Sequence, residues 1–195
     1  MQKKLILILY FLILISNIFS LSLFLDYRPI KQKKDFCGET VVAIMLEKIG
    51  EKYNQDYIHN KIFDLKKVKR GAYSLEILRK LKEKGYNIEY RYNYGYKSRA
   101  ILSNNLYKKN INLIKSYLND GYPVFFNWYP EKKIDRTFKG HFSLIVGYSK
   151  NKLYIYDPRW NNKIIMVSLR KFKKYFLAPT LTFNKWGFFY FIIKG

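Results

Sequence analysis

The sequence has few of the residues that cross-link a protein or hold a metal ion. Its 195 residues include one cysteine, Cys37, and two histidines, His59 and His141. A single cysteine excludes an internal disulfide, and these three side chains could not easily supply a zinc site. The sequence also has no internal repeat and no low-complexity run. We therefore expect a compact domain without a metal or a cofactor, in which Cys37 has another use.

Acidic residues are also scarce: 14 stand against 37 basic ones, which gives a formal net charge of +23. Such an excess attracts polyanions, including nucleic acid, anionic lipid and acidic cell-wall polymers. The lysines are scattered singly along the chain, however, and no nucleic-acid-binding motif is present. We therefore expect no nucleic-acid partner, and an anionic envelope surface stays open as a partner.

The first 22 residues are typical of a secretory signal peptide. Lys3 and Lys4 precede an unbroken apolar run from Leu5 to Ile15, and Ser20-Leu21-Ser22 offers a cleavage site between small residues. Apolar residues resume at Leu23, so an uncleaved membrane anchor stays open as the alternative. We expect an exported protein that is cleaved after this segment.

The remaining residues, 23–195, have the apolar patterns of an α+β domain. Helical spacing predicts one helix over 41–49, one from Ser74 to Gly85 and one around 112–118. Apolar runs and alternation then predict strands over 122–128, 141–148, 153–156, 163–167 and 188–193, with a short helix over 168–176. Helices that precede antiparallel strands indicate an α+β fold with segregated halves.

Cys37 lies just before the first predicted helix. A thiol at that position faces free backbone N–H groups and the positive end of the helix dipole, so we expect a lowered pKa. The alternative is an inert cysteine that packs as a small apolar residue. Its neighbours Asp35, Gly38 and Glu39 are unlike core residues and argue against that alternative.

A reactive cysteine also needs a base. His141 opens one strand of a predicted hairpin, and Asp157 ends the other. The expected register places residue 144 opposite residue 157, which makes His141 and Asp157 diagonal neighbours. Sheet twist could bring their side chains into contact. An aspartate there could orient the imidazole. The alternative for Asp157 is the turn chemistry of Asp-Pro. His59, in the polar segment DYIHNKIFD, is given no role.

Four segments carry a family resemblance. FCGETVVAIMLEKIG, RGAYSLEILRKLKEKGY, INLIKSYLNDGYPVFFNW and GHFSLIVGYSKNKLYIYDP occur in this order over most of residues 32 to 158. Together they resemble the bacteriocin-processing (double-glycine leader) cysteine peptidase family of the papain-like clan. The resemblance implies a papain-like fold, with the nucleophile on an N-terminal helical half and a histidine and an aspartate on a C-terminal antiparallel sheet half.

The resemblance also implies roles for single residues. Cys37 is the nucleophile, His141 the general base and then acid, and Asp157 the residue that orients it. The side-chain amide of Gln32 and the backbone N–H of Cys37 form the oxyanion hole. Gln32 stands five residues before Cys37, one fewer than is typical of the family. The expected protein is a monomeric cysteine peptidase that cuts a peptide or protein substrate at a peptide or isopeptide bond through an acyl-enzyme, without a cofactor.

Family members that mature bacteriocins act in the cytosol, fused to a transporter. This chain looks exported and carries no transporter, so we do not expect leader-peptide cleavage to be its task. Two non-hydrolytic alternatives stay open on the same fold. One is an acyl transferase such as a transpeptidase or transglutaminase, and the other is a cationic envelope-binding module.

Overall fold

The computed structural model describes residues 22–96, 102–128, 140–160, 163–176, 178–179 and 186–195. The predicted signal peptide, apart from its last residue, lies outside them. In chain order the elements are β1 (Leu23–Phe24), α1 (Cys37–Lys48), α2 (Gln55–Tyr57), a π-helical turn (Ile58–Ile62), α3 (Ser74–Glu83), β2 (Asn87–Tyr96), α4 (Asn104–Asn119), β3 (Val124–Trp128), β4 (His141–Tyr148), β5 (Lys152–Tyr156), β6 (Ile164–Ser168), α5 (Leu169–Tyr175), β7 (Ala178–Pro179) and β8 (Trp186–Lys194). None of the helices in the described ranges combines the length and the hydropathy that a membrane span requires.

The helices begin and end where capping chemistry allows. Ser103 caps α4, since its Oγ accepts the N–H of Leu106 at 3.3 Å, and the helix is therefore longer than predicted. After α3 and α4 the chain turns through Gly85 and Gly121, which both have a φ of +85° and so stop the helices. Helix α1 starts at Cys37 itself, slightly earlier than expected.

The strands form one sheet in the order β2-β8-β3-β4-β5-β6, with β1 on β4 and β7 on β8. Every pairing among the described residues is antiparallel. The predicted strands are all present as β3, β4, β5, β6 and β8, and the predicted short helix is α5. The strands β1, β2 and β7 were not predicted.

Helices cover both faces of the sheet and create two apolar cores. Helices α1 and α3 and the π-helical turn pack on the face that contains Phe125 and Phe191. Helices α4 and α5 pack on the face that contains Phe126 and Tyr190. Neighbouring residues of one strand point to opposite faces, which is why Phe125 and Phe126 belong to different cores. The predicted α+β fold is confirmed, with α4 on the far side of the sheet from α1.

The β4–β5 hairpin differs from the prediction in its register. Leu144 pairs with Tyr156, not with Asp157 as expected. The reason is a register shift between Ile145 and Gly147, where β4 has one extra residue. The shift changes the face on which Asp157 lies.

Candidate active site

Cys37 is the first residue of α1 and is a free cysteine; the residue as a whole is partly exposed, but its thiol is buried. The backbone N–H groups of Phe142 and Gly38 hydrogen-bond to its sulfur, which places the thiol against the start of β4. The expected lowering of its pKa is wrong. Burial of the thiol, aided by the carboxylates of Glu39 and Asp157, raises the pKa of Cys37 to about 12 despite the two N–H groups. The raised pKa favours the protonated thiol over the thiolate in the resting site.

His141 and Asp157 form the contact that the sequence predicted. The Nε2 atom of His141 lies 2.7 Å from Oδ1 of Asp157, and the exposed fractions of the two side chains are 4% and 0%. Burial acts to raise the pKa of Asp157, but hydrogen bonds and charges from His141 and Arg159 outweigh it and hold the pKa well below its usual range. Because an ionised carboxylate only accepts hydrogen bonds, Nε2 of His141 carries a proton. Nδ1 of the neutral imidazole is then unprotonated and can act as a base.

Arg159 is a partner of Asp157 that the sequence reasoning missed. Its guanidinium donates from Nε to Oδ1 at 3.2 Å and from Nη2 to Oδ2 at 2.8 Å. Its backbone N–H also donates to Oδ1 at 3.0 Å, which is the turn chemistry considered as the alternative for Asp157. Asp157 therefore closes a turn and contacts His141 at the same time. The basic residue two positions after the aspartate was the available signal.

Gln32 lies beside the segment that carries Asp157. Its backbone N–H donates to the carbonyl oxygen of Pro158 at 3.0 Å. Its side-chain Oε1 is buried and has no hydrogen-bond partner. Buried polar atoms without a partner are uncommon in folded proteins, and they are often found at functional sites.

Glu39 and His59 correct two expectations. Glu39, judged unlike a core residue, is fully buried, and Gly38 is buried as well. His59, which was given no role, is buried, with 5% of its surface exposed. Its Nδ1 lies 2.9 Å from Oε1 of Glu39, and its Nε2 lies 3.2 Å from the carbonyl oxygen of Val68. The ring of Phe36 stacks on the imidazole at 4.5 Å between centroids. Burial raises the pKa of Glu39, and its hydrogen bond with His59 acts against that rise.

No group of three histidine, cysteine, aspartate or glutamate side chains within the described ranges lies close enough to hold a metal ion. The side chains of the site itself offer a thiol, an imidazole and a buried carboxylate.

The profile of the Peptidase_C39 like family matches residues 24–180. The chain belongs to this family. It is a cysteine-type peptidase, as the sequence resemblance implied. A comparison with curated protein sequences found no match.

Three solved structures resemble this C39-like peptidase. The peptidase domain of Streptococcus ComA, a bi-functional ABC transporter involved in quorum sensing, is 20% identical with a TM-score of 0.51, over 84% of this chain and 98% of that one. A putative C39-like peptidase from Bacillus anthracis is 16% identical with a TM-score of 0.54, over 86% and 96%. A double glycine motif protease from an AMS/PCAT transporter, in complex with the leader peptide, is 16% identical with a TM-score of 0.51, over 88% and 94%. At these identities the likeness establishes the fold alone, and the predicted papain-like fold is confirmed.

Proposed function

We propose that this peptidase is exported and hydrolyses a peptide or isopeptide bond through Cys37, His141 and Asp157 by way of an acyl-enzyme. One observation carries the proposal: the buried hydrogen bond between His141 and Asp157 lies next to the Phe142 N–H that holds the sulfur of Cys37. A thiol nucleophile, a base and a carboxylate that orients the base are the three parts that such chemistry needs.

We infer a protonated resting thiol from the raised pKa of Cys37, and this defines the first step. As the sulfur attacks the scissile carbonyl carbon, Nδ1 of His141 takes the thiol proton, and Asp157 stabilises the imidazolium that forms. The imidazolium then gives this proton to the leaving amine, and a thioester with Cys37 remains. Water attacks the thioester while His141 accepts one of its protons, and return of that proton to the sulfur releases the acid and restores the thiol.

The oxyanion that forms during attack needs hydrogen-bond donors. We assign this role to the side-chain amide of Gln32 and the backbone N–H of Cys37. Because Oε1 of Gln32 has no hydrogen bond to lose, the amide can rotate and present Nε2 at its buried end. One such donor is typically worth about 3 kcal/mol in the transition state.

The substrate is a peptide or a protein. Membership of a peptidase family supports this class, and the AMS/PCAT relative was crystallised with a leader peptide. A competing acyl acceptor distinguishes hydrolysis from acyl transfer. With glycinamide added at increasing concentration, a hydrolase gives a constant yield of free acid, and a transferase gives the amide instead.

Export rests on the signal-like first 22 residues and on strand β1. Leu23 of β1 pairs with Tyr148 of β4, so cleavage after Ser22 would leave a new terminus that is already held on the sheet. Mass spectrometry of the cell-envelope fraction should find a protein that begins near Leu23. Full-length protein in the membrane would support the anchor, and a cytosolic protein would contradict export. The charge of the mature protein, +21 after Lys3 and Lys4 are removed from +23, suits an anionic envelope surface.

Peptide-aldehyde labelling of the mature protein tests the site directly. The wild type should bind acetyl-Gly-glycinal at Cys37 and cleave a fluorogenic peptide, and Cys37→Ala should do neither. If the wild type binds anionic polymer but shows no turnover, and Cys37→Ala binds the polymer equally well, the catalytic assignment is wrong. That result would support the envelope-binding module.

A further inference from the structure

One buried glutamine, Gln55, binds the chain on both sides of Gln32. Its Nε2 donates to the carbonyl oxygen of Lys31 at 2.8 Å, and its Oε1 accepts the backbone N–H of Lys33 at 2.8 Å. The carbonyl of one residue and the N–H of the second residue after it point to the same edge of an extended segment. The Gln55 amide therefore occupies the place that a neighbouring strand would take.

The opposite edge of the same segment is bound by the other half of the domain. The N–H of Gln32 donates to the carbonyl oxygen of Pro158 at 3.0 Å, and Pro158 directly follows Asp157. Three hydrogen bonds thus fix residues 31–33 between the start of α2 and the segment that carries Asp157. Since side chains of an extended segment project away from its two hydrogen-bonding edges, fixing both edges fixes the direction of the Gln32 side chain.

The segment that links Gln32 to Cys37 shows why residues 31–33 need these three hydrogen bonds. It contains Asp35, whose φ of +64° is a backbone conformation that residues other than glycine rarely adopt. The carbonyl oxygen of Asp35 packs so closely on Gly71 that a Cβ at Gly71 would lie 1.9 Å from it. A strained backbone conformation persists only where surrounding contacts impose it. The orientation of Gln32 therefore depends on contacts outside this link.

We propose that Gln55 is a positioning residue that holds Gln32 in the oxyanion hole of the peptidase. The inference rests on the proposed function and adds a residue that does not touch the substrate. Gln55 is 8% exposed, and both ends of its side-chain amide bind backbone groups next to Gln32. An oxyanion donor works only when it is held within a fraction of an ångström of the developing charge. Gln55 supplies that constraint through the backbone of residues 31 and 33.

A double-mutant cycle on the full chain tests the inference. Gln55→Met keeps the length of the side chain and removes both hydrogen bonds, and Gln32→Ala removes the donor itself. Asp56→Asn is the matched control, because Asp56 is the next residue and forms an exposed ion pair with the side chain of Lys33, not with its backbone. Each variant is assayed for kcat and KM on a fluorogenic peptide ending in Gly-Gly, for affinity to acetyl-Gly-glycinal, for iodoacetamide alkylation of Cys37 and for Tm.

Gln32→Ala should lower kcat about 10²-fold, and Gln55→Met should lower it about tenfold or more with KM unchanged. The double variant should be no slower than Gln32→Ala alone, since Gln55 acts only through Gln32. The affinity for the aldehyde should fall together with kcat, because the oxygen of the aldehyde adduct occupies the oxyanion hole as the oxyanion of the transition state does. Alkylation should stay at the wild-type rate in all variants, and Asp56→Asn should match the wild type throughout. If Gln55→Met does not fold, Gln55→Glu makes the same test, because it keeps the acceptor for Lys33 and removes the donor to Lys31.

The outcomes separate this inference from the proposed function. Wild-type kcat in Gln55→Met, or effects that multiply in the double variant, would overturn the role of Gln55 and leave the peptidase intact. If Gln55→Met lowers both the rate of Cys37 alkylation and the Tm, Gln55 has a general structural role, and its proposed positioning role would also be overturned. Wild-type turnover in Gln32→Ala would remove both glutamines from the site. Failure of the wild type to form an adduct with the aldehyde at Cys37 would contradict the proposed function itself, whereas failure to cleave the Gly-Gly peptide alone would exclude only that sequence as a substrate.

Discussion

His141 and Asp157 lie on the same face of the sheet because of one extra residue in β4. Ile145 pairs with Ile155 and Gly147 pairs with Tyr154, so Val146 forms a β-bulge between them. Without the bulge, the alternation of side chains would put Asp157 on the face opposite His141. The 2.7 Å contact between the imidazole and the carboxylate therefore depends on a backbone irregularity elsewhere in the hairpin.

The ionised state of Asp157 predicts how stability changes in acid. Its folded-state pKa is depressed, so its contribution is present above its ordinary pKa of about 4 and is lost as the pH falls below that value. Asp157→Asn should lower the free energy of unfolding by about 3 kcal/mol at pH 6 and by clearly less at pH 3. Urea denaturation at both pH values measures the difference. Asp26→Asn, at an exposed carboxylate, is the control and should change little at either pH.

A difference of equal size at pH 6 and at pH 3 would contradict this prediction. It would mean that Asp157 supports the fold through its shape and its turn hydrogen bond with Arg159, and not through its charge.

Gly140 should tolerate no side chain. It precedes His141, has a φ of +87°, and a Cβ there would lie 2.7 Å from Oδ1 of the buried Asn127. Gly140→Ala should therefore move the base and lower kcat about tenfold or more. Gly121→Ala is the matched control, with a φ of +85° and no atom within 4 Å of the added Cβ. Both changes should cost about 1 kcal/mol of backbone strain, but only Gly140→Ala should slow turnover. Equal kcat values for the two variants would refute the role of Gly140.

The parts of the site that the sequence predicted are local in the chain. Helix α1 follows from its apolar spacing, and the β4–β5 hairpin follows from two apolar runs around a short polar turn. His141 and Asp157 stand at the ends of those runs, so their approach could be predicted to within one residue of register. Strand β2 carried a usable signal that was missed, since Ile88, Tyr90 and Tyr92 alternate with polar residues.

The parts that the sequence did not predict depend on contacts between distant segments. No spacing rule joins Glu39 to His59, which meet only because the π-helical turn packs on α1. The bulge at Val146 leaves no mark in composition. The pKa of Cys37 was expected to fall because a helix start favours a thiolate, but burial and two carboxylates are visible only in the folded chain.

The pair of Glu39 and His59 should stabilise the fold strongly. His59→Phe keeps the ring that stacks on Phe36 but leaves the fully buried carboxylate of Glu39 without its imidazole partner. Leaving a buried polar group without its hydrogen-bond partner typically costs about 1 to 3 kcal/mol, and chemical denaturation should show a loss in that range. Lys61→Ala, at an exposed position of the same turn, should change the free energy of unfolding little.

The double variant Glu39→Gln with His59→Phe separates charge from packing. It should recover part of the loss, because a neutral amide needs less compensation than a carboxylate. If His59→Phe alone costs under about 1 kcal/mol, Glu39 takes up a proton when the imidazole is absent, and the pair is not held by charge.

The last prediction concerns the resting state of Cys37, which iodoacetamide reports alone because the chain has no other cysteine. With a pKa of about 12, its alkylation rate should keep rising with pH up to about pH 10 without a plateau. Glu39→Gln removes a carboxylate that raises this pKa, so it should speed alkylation at a fixed pH. Glu47→Gln, near the other end of α1, is the control and should not.

His141→Ala then distinguishes two ways of forming the nucleophile. If the thiol gives up its proton only during attack on the substrate, this variant should lose turnover by roughly 10² to 10⁴-fold while its alkylation changes far less. A wild-type plateau with an apparent pKa below about 8.5, abolished together with turnover in His141→Ala, would show instead that a thiolate and an imidazolium already exist in the free enzyme. In that case the helix start and His141 would outweigh burial, and the first proton transfer would precede substrate binding.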